Sequence, residues 1–137
     1  SVTVKEDGAV IFYLYAPAAK IVQVAGLGGY FTNKKINLMP DGQGGFFAEV
    51  QDFHWGMHYY FWYVDGVRIC NPYAGISYGC FAAINTFEVQ EKNVDFYFAK
   101  DIPHGTVSIC KYVSKVSSHL KECYVYTPYG YEEGDER

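Results

Sequence analysis

Short runs in which apolar and polar residues alternate make up most of the chain, and turn-forming glycine, proline, asparagine and aspartate separate them. Alternating runs of this length predict β-strands, because successive side chains of a strand point to opposite faces. No stretch of about ten residues has helical periodicity. The sequence therefore predicts an all-β chain, whose strands are residues 10–15, 21–25, 35–39, 45–50, 58–64, 67–70, 85–89 and 94–98.

The number and spacing of these strands predict how they assemble. About seven short strands at regular spacing within about 100 residues are typical of a two-sheet sandwich of immunoglobulin-like kind. Two further alternating runs, 105–112 and 120–127, are joined by residues 114–119 and predict a β-hairpin. The predicted fold is an all-β, immunoglobulin-like β-sandwich over residues 1–99, with a C-terminal β-hairpin extension over residues 100–137.

The run at 58–64 (HYYFWYV) contains the densest group of aromatic residues. Its alternation predicts one inward set, which is Tyr60, Trp62 and Val64. The outward set is then Tyr59, Phe61 and Tyr63. An outward aromatic ladder predicts either a sugar-stacking platform or a face covered by another domain. Trp55, in the turn before this run, is a further candidate for sugar contact or for packing at the sheet edge.

Composition and charge narrow the classes of partner. Aromatic residues make up 19% of the chain and include 14 tyrosines, which suit half-exposed surfaces where a ligand lies. The net charge is -4, and lysine and arginine form no cluster longer than a pair, so no nucleic-acid partner is expected. No apolar run is long enough to span a bilayer, so no membrane is expected. The sequence as given contains no signal-peptide pattern.

The cysteines leave the redox compartment open. The four are Cys70, Cys80, Cys110 and Cys123, and none forms the C-x-x-C spacing of a zinc site. They are compatible with reduced thiols that pack as small hydrophobic groups, or with at least one disulfide. No metal ligand set and no cofactor is predicted.

Residues 75–79 (GISYG) match the G-x-S-x-G motif of a serine hydrolase. A nucleophile elbow needs a strand, a strained turn at the serine and then a helix. The residues that follow Gly79 predict no helix, so Ser77 is expected to be a loop serine. The sequence predicts no catalytic residue, and the chain is not expected to be an enzyme.

A set of ordered motifs carries a family resemblance over residues 2–90. They are residues 8–26 (GAVIFYLYAPAAKIVQVAG), 39–46 (MPDGQGGF) and 58–72 (HYYFWYVDGVRICNP). Their order resembles carbohydrate-binding module family 48, the glycogen-binding or isoamylase N-terminal type of early-set domain. The resemblance implies glycan contact at the positions where the family has sugar-binding residues, which fall on Tyr30 or Phe31, Phe61, Arg68 and Asn85. Tyr30 and Phe31 are also compatible with a cap on the sandwich end.

The tail carries a second resemblance. The pieces D-x-P-H-G-x-V from Asp101, Y-x-S-K from Tyr112 and C-Y-V-Y-T-P-x-G-Y from Cys123 resemble a junction in Bacteroides-type carbohydrate esterase family 1 proteins. There a family 48-like domain precedes an α/β-hydrolase esterase of the feruloyl or acetyl-xylan class. The resemblance implies that residues 100–137 are a linker and the first hairpin of a truncated esterase domain.

The two resemblances together imply a non-catalytic, carbohydrate-binding-like accessory module of a xylan-type polysaccharide esterase, secreted or periplasmic. Its expected partners are a plant polysaccharide or other glycan and the esterase catalytic domain. The alternative is a structural module that packs on the esterase domain without binding glycan. The hairpin is expected either to fold back on its own sandwich or to pair with the hairpin of a second copy in a homodimer through residues 105–127, because an exposed strand edge templates pairing.

Overall fold

The computed structural model describes residues 1–26, 31, 34–79, 82–98 and 100–134. The chain divides into two compact units, Ser1–Val94 and Asp95–Arg137. The described residues contain no α-helix, which confirms the all-β prediction. The strands are β1 (Val2–Val4), β2 (Val10–Tyr15), β3 (Val22–Gly26), β4 (Lys35–Asn37), β5 (Met39–Pro40), β6 (Gly45–Val50), β7 (Gly56–Val64), β8 (Val67–Ile69), β9 (Ile76–Gly79), β10 (Ala82–Val89), β11 (Thr106–Val113) and β12 (Leu120–Thr127).

The first unit is a sandwich of two antiparallel sheets, as predicted. The first sheet has the strand order β1-β2-β6-β5. The second has the order β4-β3-β7-β10-β9, and β8 pairs with β7 beside this path. Alternation places one set of side chains between the sheets, so Val10 and Phe12 of β2 are fully buried, as is Trp62 of β7.

The core is built around aromatic rings that meet edge to face. The Phe12 ring lies 5.8 Å from Tyr60, 6.2 Å from Trp62 and 5.6 Å from Phe87, measured between ring centroids. Tilted and edge-to-face arrangements of this kind are the favoured geometries of aromatic pairs. The inward assignment of Tyr60 and Trp62 is therefore confirmed.

The turn between β7 and β8 follows the Asp-Gly signal. Asp65 and Gly66 have φ angles of 47° and 86°, the left-handed conformations that a tight hairpin turn requires. The Asp65 carboxylate accepts hydrogen bonds from the backbone N–H groups of Lys20 and Ile21, at 2.9 and 2.8 Å. This aspartate therefore shapes its own turn and also holds the chain that enters β3.

The run 35–39, predicted as one strand, is divided between the two sheets. Residues Lys35–Asn37 pair with β3 in the second sheet, whereas Met39–Pro40 pair with β6 in the first. Leu38 lies buried at the crossing, and its N–H donates to the carbonyl of Val22 at 2.9 Å. A period-2 pattern continues through such a crossing, which is why the sequence does not reveal it.

Three further differences concern short segments. Residues 94–98, predicted as a strand, form turns in which the Phe98 N–H donates to the Asp95 carbonyl at 3.1 Å. The strand β1, which was not predicted, adds to the edge of the first sheet through Val2 to Val4. Ser77 lies in the edge strand β9 and not in a loop, so that prediction was wrong.

The second unit contains the predicted hairpin. Strands β11 and β12 pair over eight positions, from Thr106↔Thr127 to Val113↔Leu120. All described side chains of the hairpin strands except Thr127 are exposed. The apolar members of one face are Val107, Ile109, Val113, Leu120, Tyr124 and Tyr126, which we call the apolar hairpin face. The assignment of this unit to an esterase domain stays a prediction.

Candidate functional site

The outer face of the second sheet carries an aromatic row along β7. Tyr59, Phe61 and Tyr63 alternate with the core residues Tyr60 and Trp62, so their side chains point away from the sandwich interior. We call these three residues the outer aromatic row. Residues two apart on a strand are about 6.6 Å apart, so the row spans about 13 Å.

Phe61, in the middle of the row, is covered. Its side chain is only 6% exposed, because the Arg68 guanidinium lies over the ring with its carbon 4.4 Å from the centroid. Arg68 comes from β8, where it pairs with Tyr63 of β7. At Phe61 the outer face therefore presents the Arg68 guanidinium and not a bare aromatic ring.

The two ends of the row differ in exposure. Lys35 of β4 places its Nζ 4.0 Å from the Tyr63 ring centroid, so a cation already occupies that face of the ring. Tyr59 at the other end is 41% exposed and is the most open ring of the row. The face therefore offers an open phenol ring at Tyr59, the Arg68 guanidinium over Phe61 in the middle, and the Lys35 ammonium over Tyr63 at the far end.

Phe31, one of the residues expected to contact glycan, is buried in the sandwich core. Phe31 is 2% exposed, and its ring lies 6.0 Å from Phe12 and 5.5 Å from Phe53. This position agrees with the packing alternative for Phe31, in which it caps the sandwich core. Tyr30, its neighbour and the alternative candidate, lies outside the described residues.

Asn85 is fully buried, and its side-chain amide is bonded within the protein. Its Oδ1 accepts from the Asn71 N–H at 2.7 Å, and its Nδ2 donates to the carbonyls of Asn71 and Gly75 at 2.8 and 3.2 Å. These bonds fasten the loop between β8 and β9 to β10. The geometry makes Asn85 a residue that positions this loop, and leaves no open amide for a sugar.

Trp55 lies in the segment before β7 and is 58% exposed. Gly56 follows it with a φ of 99°, a conformation that favours glycine and turns the chain into β7. Three residues separate Trp55 from Tyr59, and Trp55 precedes the first residue of β7, so it is not a member of the outer aromatic row. Of the predicted site residues, the structure brings Phe61 and Arg68 into contact, and Tyr59 lies two residues from Phe61 along β7.

The sequence reasoning missed an aromatic surface on the opposite sheet. Tyr13 and Phe47 pair directly across β2 and β6, Tyr15 follows two residues on, and Met39 pairs with Phe47 from β5. Tyr15 and Met39 are well exposed. The signal was present in 10–15 (VIFYLY), where Tyr13 and Tyr15 are out of phase with the core residues Val10 and Phe12.

Local charges at this second surface are set by turn geometry. The Asp41 carboxylate accepts from the N–H groups of Gln43 and Gly45, at 2.7 and 2.8 Å, and these bonds hold its pKa below the ordinary value. Partial desolvation raises the pKa of the neighbouring Tyr13 phenol, and the charge of Asp41, 3.5 Å away, adds to this shift. Asp41 is therefore a turn residue held in its ionised form.

The backbone around Ser77 differs from that of a nucleophile elbow. Ser77 pairs with Ile84 in an antiparallel ladder between β9 and β10, and its hydroxyl-bearing strand is extended. An elbow requires a tight strand-to-helix turn at the serine. The described residues also contain no group of three or more His, Cys, Asp or Glu that could hold a metal ion. Among the same residues, no helix is long and apolar enough to cross a membrane.

Comparison with known proteins finds that the chain is similar to part of a larger protein. No protein-family model matches the chain. The chain is 31% identical over 131 residues, 93% of its length, to a protein of Xylanibacter ruminicola named endo-1,4-beta-xylanase/feruloyl esterase. The matched region is 18% of that protein's length, so the chain is similar to a small part of a larger protein.

Proposed function

We propose that this chain is a non-catalytic, carbohydrate-binding-like accessory module of a secreted or periplasmic xylan-type polysaccharide esterase. The single observation that carries the proposal is the outer aromatic row, where the open Tyr59 ring lies on the same face as the Arg68 guanidinium. The similarity to a part of a protein named xylanase/feruloyl esterase supports the same assignment.

The chemistry of this face suits a neutral glycan chain. A sugar ring presents C–H groups to an aromatic face and hydroxyls around its rim, so it needs both a ring and hydrogen-bond donors. Tyr59 supplies an exposed ring. One side of the Arg68 guanidinium lies on Phe61, and its N–H groups can donate to hydroxyls without deprotonation. We therefore place the proposed contact between Tyr59 and Arg68.

The hairpin favours a second candidate function. The apolar hairpin face exposes six apolar side chains, including Val113, Leu120 and Tyr126. Exposed apolar patches rimmed by polar residues mark interaction sites in folded proteins. The alternative is therefore a structural interdomain or dimerisation module, in which this face packs on an esterase domain or on a second copy and no glycan binds.

Affinity electrophoresis separates the two functions. The full chain runs in native gels that contain xylan, arabinoxylan or glycogen, beside a gel without polysaccharide. Binding predicts retardation in the xylan-type gels. Tyr59→Ala should weaken it about tenfold, because about 1.4 kcal/mol of ring contact is lost. The matched control is Tyr15→Ala, which removes an exposed tyrosine from the opposite sheet and should leave retardation unchanged.

Two outcomes would contradict the glycan proposal. No retardation in any gel would favour the structural alternative. Retardation that Tyr15→Ala removes and Tyr59→Ala does not would move the contact to the first sheet.

A separate assay tests the proposal that the chain is non-catalytic. The chain should not hydrolyse methyl ferulate or p-nitrophenyl acetate above background. Hydrolysis that Ser77→Ala abolishes would overturn it.

A further inference from the structure

Two cysteines face each other across the middle of the hairpin. Cys110 of β11 and Cys123 of β12 are direct partners in the antiparallel register, with four pairs on one side and three on the other. Both are exposed and carry free thiols. Direct partners in an antiparallel ladder have Cα atoms about 4.5 or 5.5 Å apart, depending on the type of pair.

This spacing fits a disulfide without movement of the backbone. Disulfides join residues whose Cα atoms are roughly 4.4–6.8 Å apart, and both possible spacings of the pair lie in that range. The two side chains also point to the same face, because directly opposed residues of a ladder do so. The flanking pairs on this face are Ser108↔Val125 and Tyr112↔Lys121, which lie two residues away along each strand, so each cysteine is the other's direct cross-strand neighbour.

We propose that Cys110 and Cys123 form a reversible disulfide that cross-links the two strands of the hairpin. Neither residue belongs to the outer aromatic row, so the inference stands independently of the proposed glycan function. Cys70 lies in the other unit, after β8, and is partly buried, so it is the less accessible thiol. The cross-link fixes the register of a sheet that, among the described residues, consists of two strands.

The oxidant is a low-molecular-weight disulfide of the glutathione type. One protein thiolate attacks the S–S bond, which breaks and releases one glutathione thiolate, leaving a mixed disulfide. The second protein thiolate then attacks the protein sulfur of that mixed disulfide and releases the second glutathione. Two protein thiols are thereby oxidised, one glutathione disulfide is reduced to two thiols, and the two protons pass to the released glutathione.

The test equilibrates the folded full-length chain with oxidised and reduced glutathione, then blocks free thiols by alkylation at low pH. Trypsin cuts after Lys100, Lys111 and Lys121, so Cys110 falls in peptide 101–111 and Cys123 in peptide 122–137. We expect mass spectrometry to find these two peptides linked and released by reductant. The chain should lose two hydrogens and stay at monomer size on a non-reducing gel.

Single variants check the pairing. Cys123→Ser should leave Cys110 carrying one bound glutathione, because no second thiol can displace it, and Cys110→Ser should do the converse at Cys123. Cys70→Ser is the matched control and should leave the linked peptides unchanged. The proposal is overturned if, in the wild type, both hairpin cysteines remain free thiols and are found alkylated. It is also overturned if each of them carries a bound glutathione. A link to Cys70 or Cys80, or a covalent dimer, overturns it equally.

Hydrogen exchange gives a readout of the structural effect. Oxidation should slow amide exchange in β11 and β12 by about tenfold or more, because separation of the strands then requires the chain to open around a closed loop. Exchange in β7 and β10 should stay unchanged, and reductant should reverse the effect. A linked chain whose hairpin exchanges as fast as the reduced one would contradict the claim that the bond fixes the register.

Discussion

The two units of this chain use the same strand pattern and reach opposite degrees of burial. In the sandwich, β2 and β7 each bury one set of alternating residues, including Phe12 and Trp62, between two sheets. In the hairpin, both faces of β11 are exposed along its whole length. Alternation therefore specifies a strand and its two faces, whereas burial requires a second layer for one face to pack against.

The two units differ in whether they cover their apolar side chains by themselves. The sandwich buries one set of its apolar side chains between its own two sheets. The hairpin keeps an apolar face, with Val107, Ile109 and Tyr124 among its members, and isolated two-stranded sheets are marginal in water. We therefore propose that the apolar hairpin face is covered by an esterase domain or by a second copy of the chain. The predictions below test the contrast, starting with the largest effect.

Removal of a central core ring should destabilise the sandwich and leave the hairpin unaffected. Phe12→Ala deletes a fully buried ring that contacts the rings of Tyr60, Trp62 and Phe87, and should lower the free energy of unfolding by about 3–5 kcal/mol. The measurement is urea unfolding followed by tryptophan fluorescence. Tyr126→Ala, at an exposed hairpin position, is the control and should change the value by less than about 0.5 kcal/mol. Similar costs for both variants would contradict the contrast.

Loss of the buried Asn85 amide should cost about 2 kcal/mol of unfolding free energy. Asn85→Ala removes the acceptor of the Asn71 N–H and the donor to two carbonyls in the β8–β9 loop. Asn85→Asp should cost as much or more, because a carboxylate would face those carbonyl oxygens. Asn37→Ala, which breaks an exposed amide pair with Gln23, is the control and should cost less than about 0.5 kcal/mol. Unchanged stability in both Asn85 variants would show that the hydrogen bonds from Asn85 to the β8–β9 loop do not stabilise the fold.

Alkaline pH should destabilise the sandwich through Tyr60. Burial raises the pKa of this phenol to about 12, above the value near 10 of the unfolded chain. The neutral form is therefore favoured in the folded state. Its contribution is complete below about pH 10 and is lost as the pH rises toward about 12, by about 1–2 kcal/mol. Tyr60→Phe should flatten this part of the stability profile. A variant that keeps the same slope would assign the loss to other groups.

The smallest expected effect concerns the β7–β8 turn. Gly66→Ala should lower the free energy of unfolding by about 1 kcal/mol, because Gly66 has a φ of 86° that side chains rarely adopt. Gly134→Ala, in the second unit, is the control, because its φ is not positive and the added Cβ would meet only ordinary van der Waals contacts, with the carbonyl oxygens of Gly130 and Tyr131 at 3.7 and 3.9 Å. Urea unfolding measures both. Equal midpoints for the two variants would mean that the turn tolerates a side chain.

The sequence predicts the strands of the sandwich well where one face is buried along the whole run. The predicted bounds 10–15 and 45–50 coincide with β2 and β6, because their period-2 pattern of core-facing residues continues to Leu14 in β2 and to Val50 in β6. The pattern predicts poorly where tertiary position decides. Residues 94–98 carry β-forming aromatics without a partner strand, and Lys35 to Met39 change sheets at Leu38.

The sequence predicts which face of the sheet carries the outer aromatic row, but it does not predict how exposed each ring is. Alternation places the outer aromatic row on the outer face, yet it cannot show that Arg68 covers Phe61 or that Lys35 lies over Tyr63. Those contacts join strands that are distant along the chain or meet only across a turn. The burial of Asn85 likewise depends on a loop folded over it, which no local pattern records.

Deletion of residues 104–137 tests the central claim most directly, because that claim assigns both the stable fold and the glycan surface to the sandwich. The shortened chain should sediment as a monomer and unfold cooperatively with the same tryptophan-monitored midpoint. It should also show the same retardation in arabinoxylan gels as the full chain, and Tyr59→Ala should weaken that retardation about tenfold. A shortened chain that fails to fold, or that folds without binding while the full chain binds, would contradict the account.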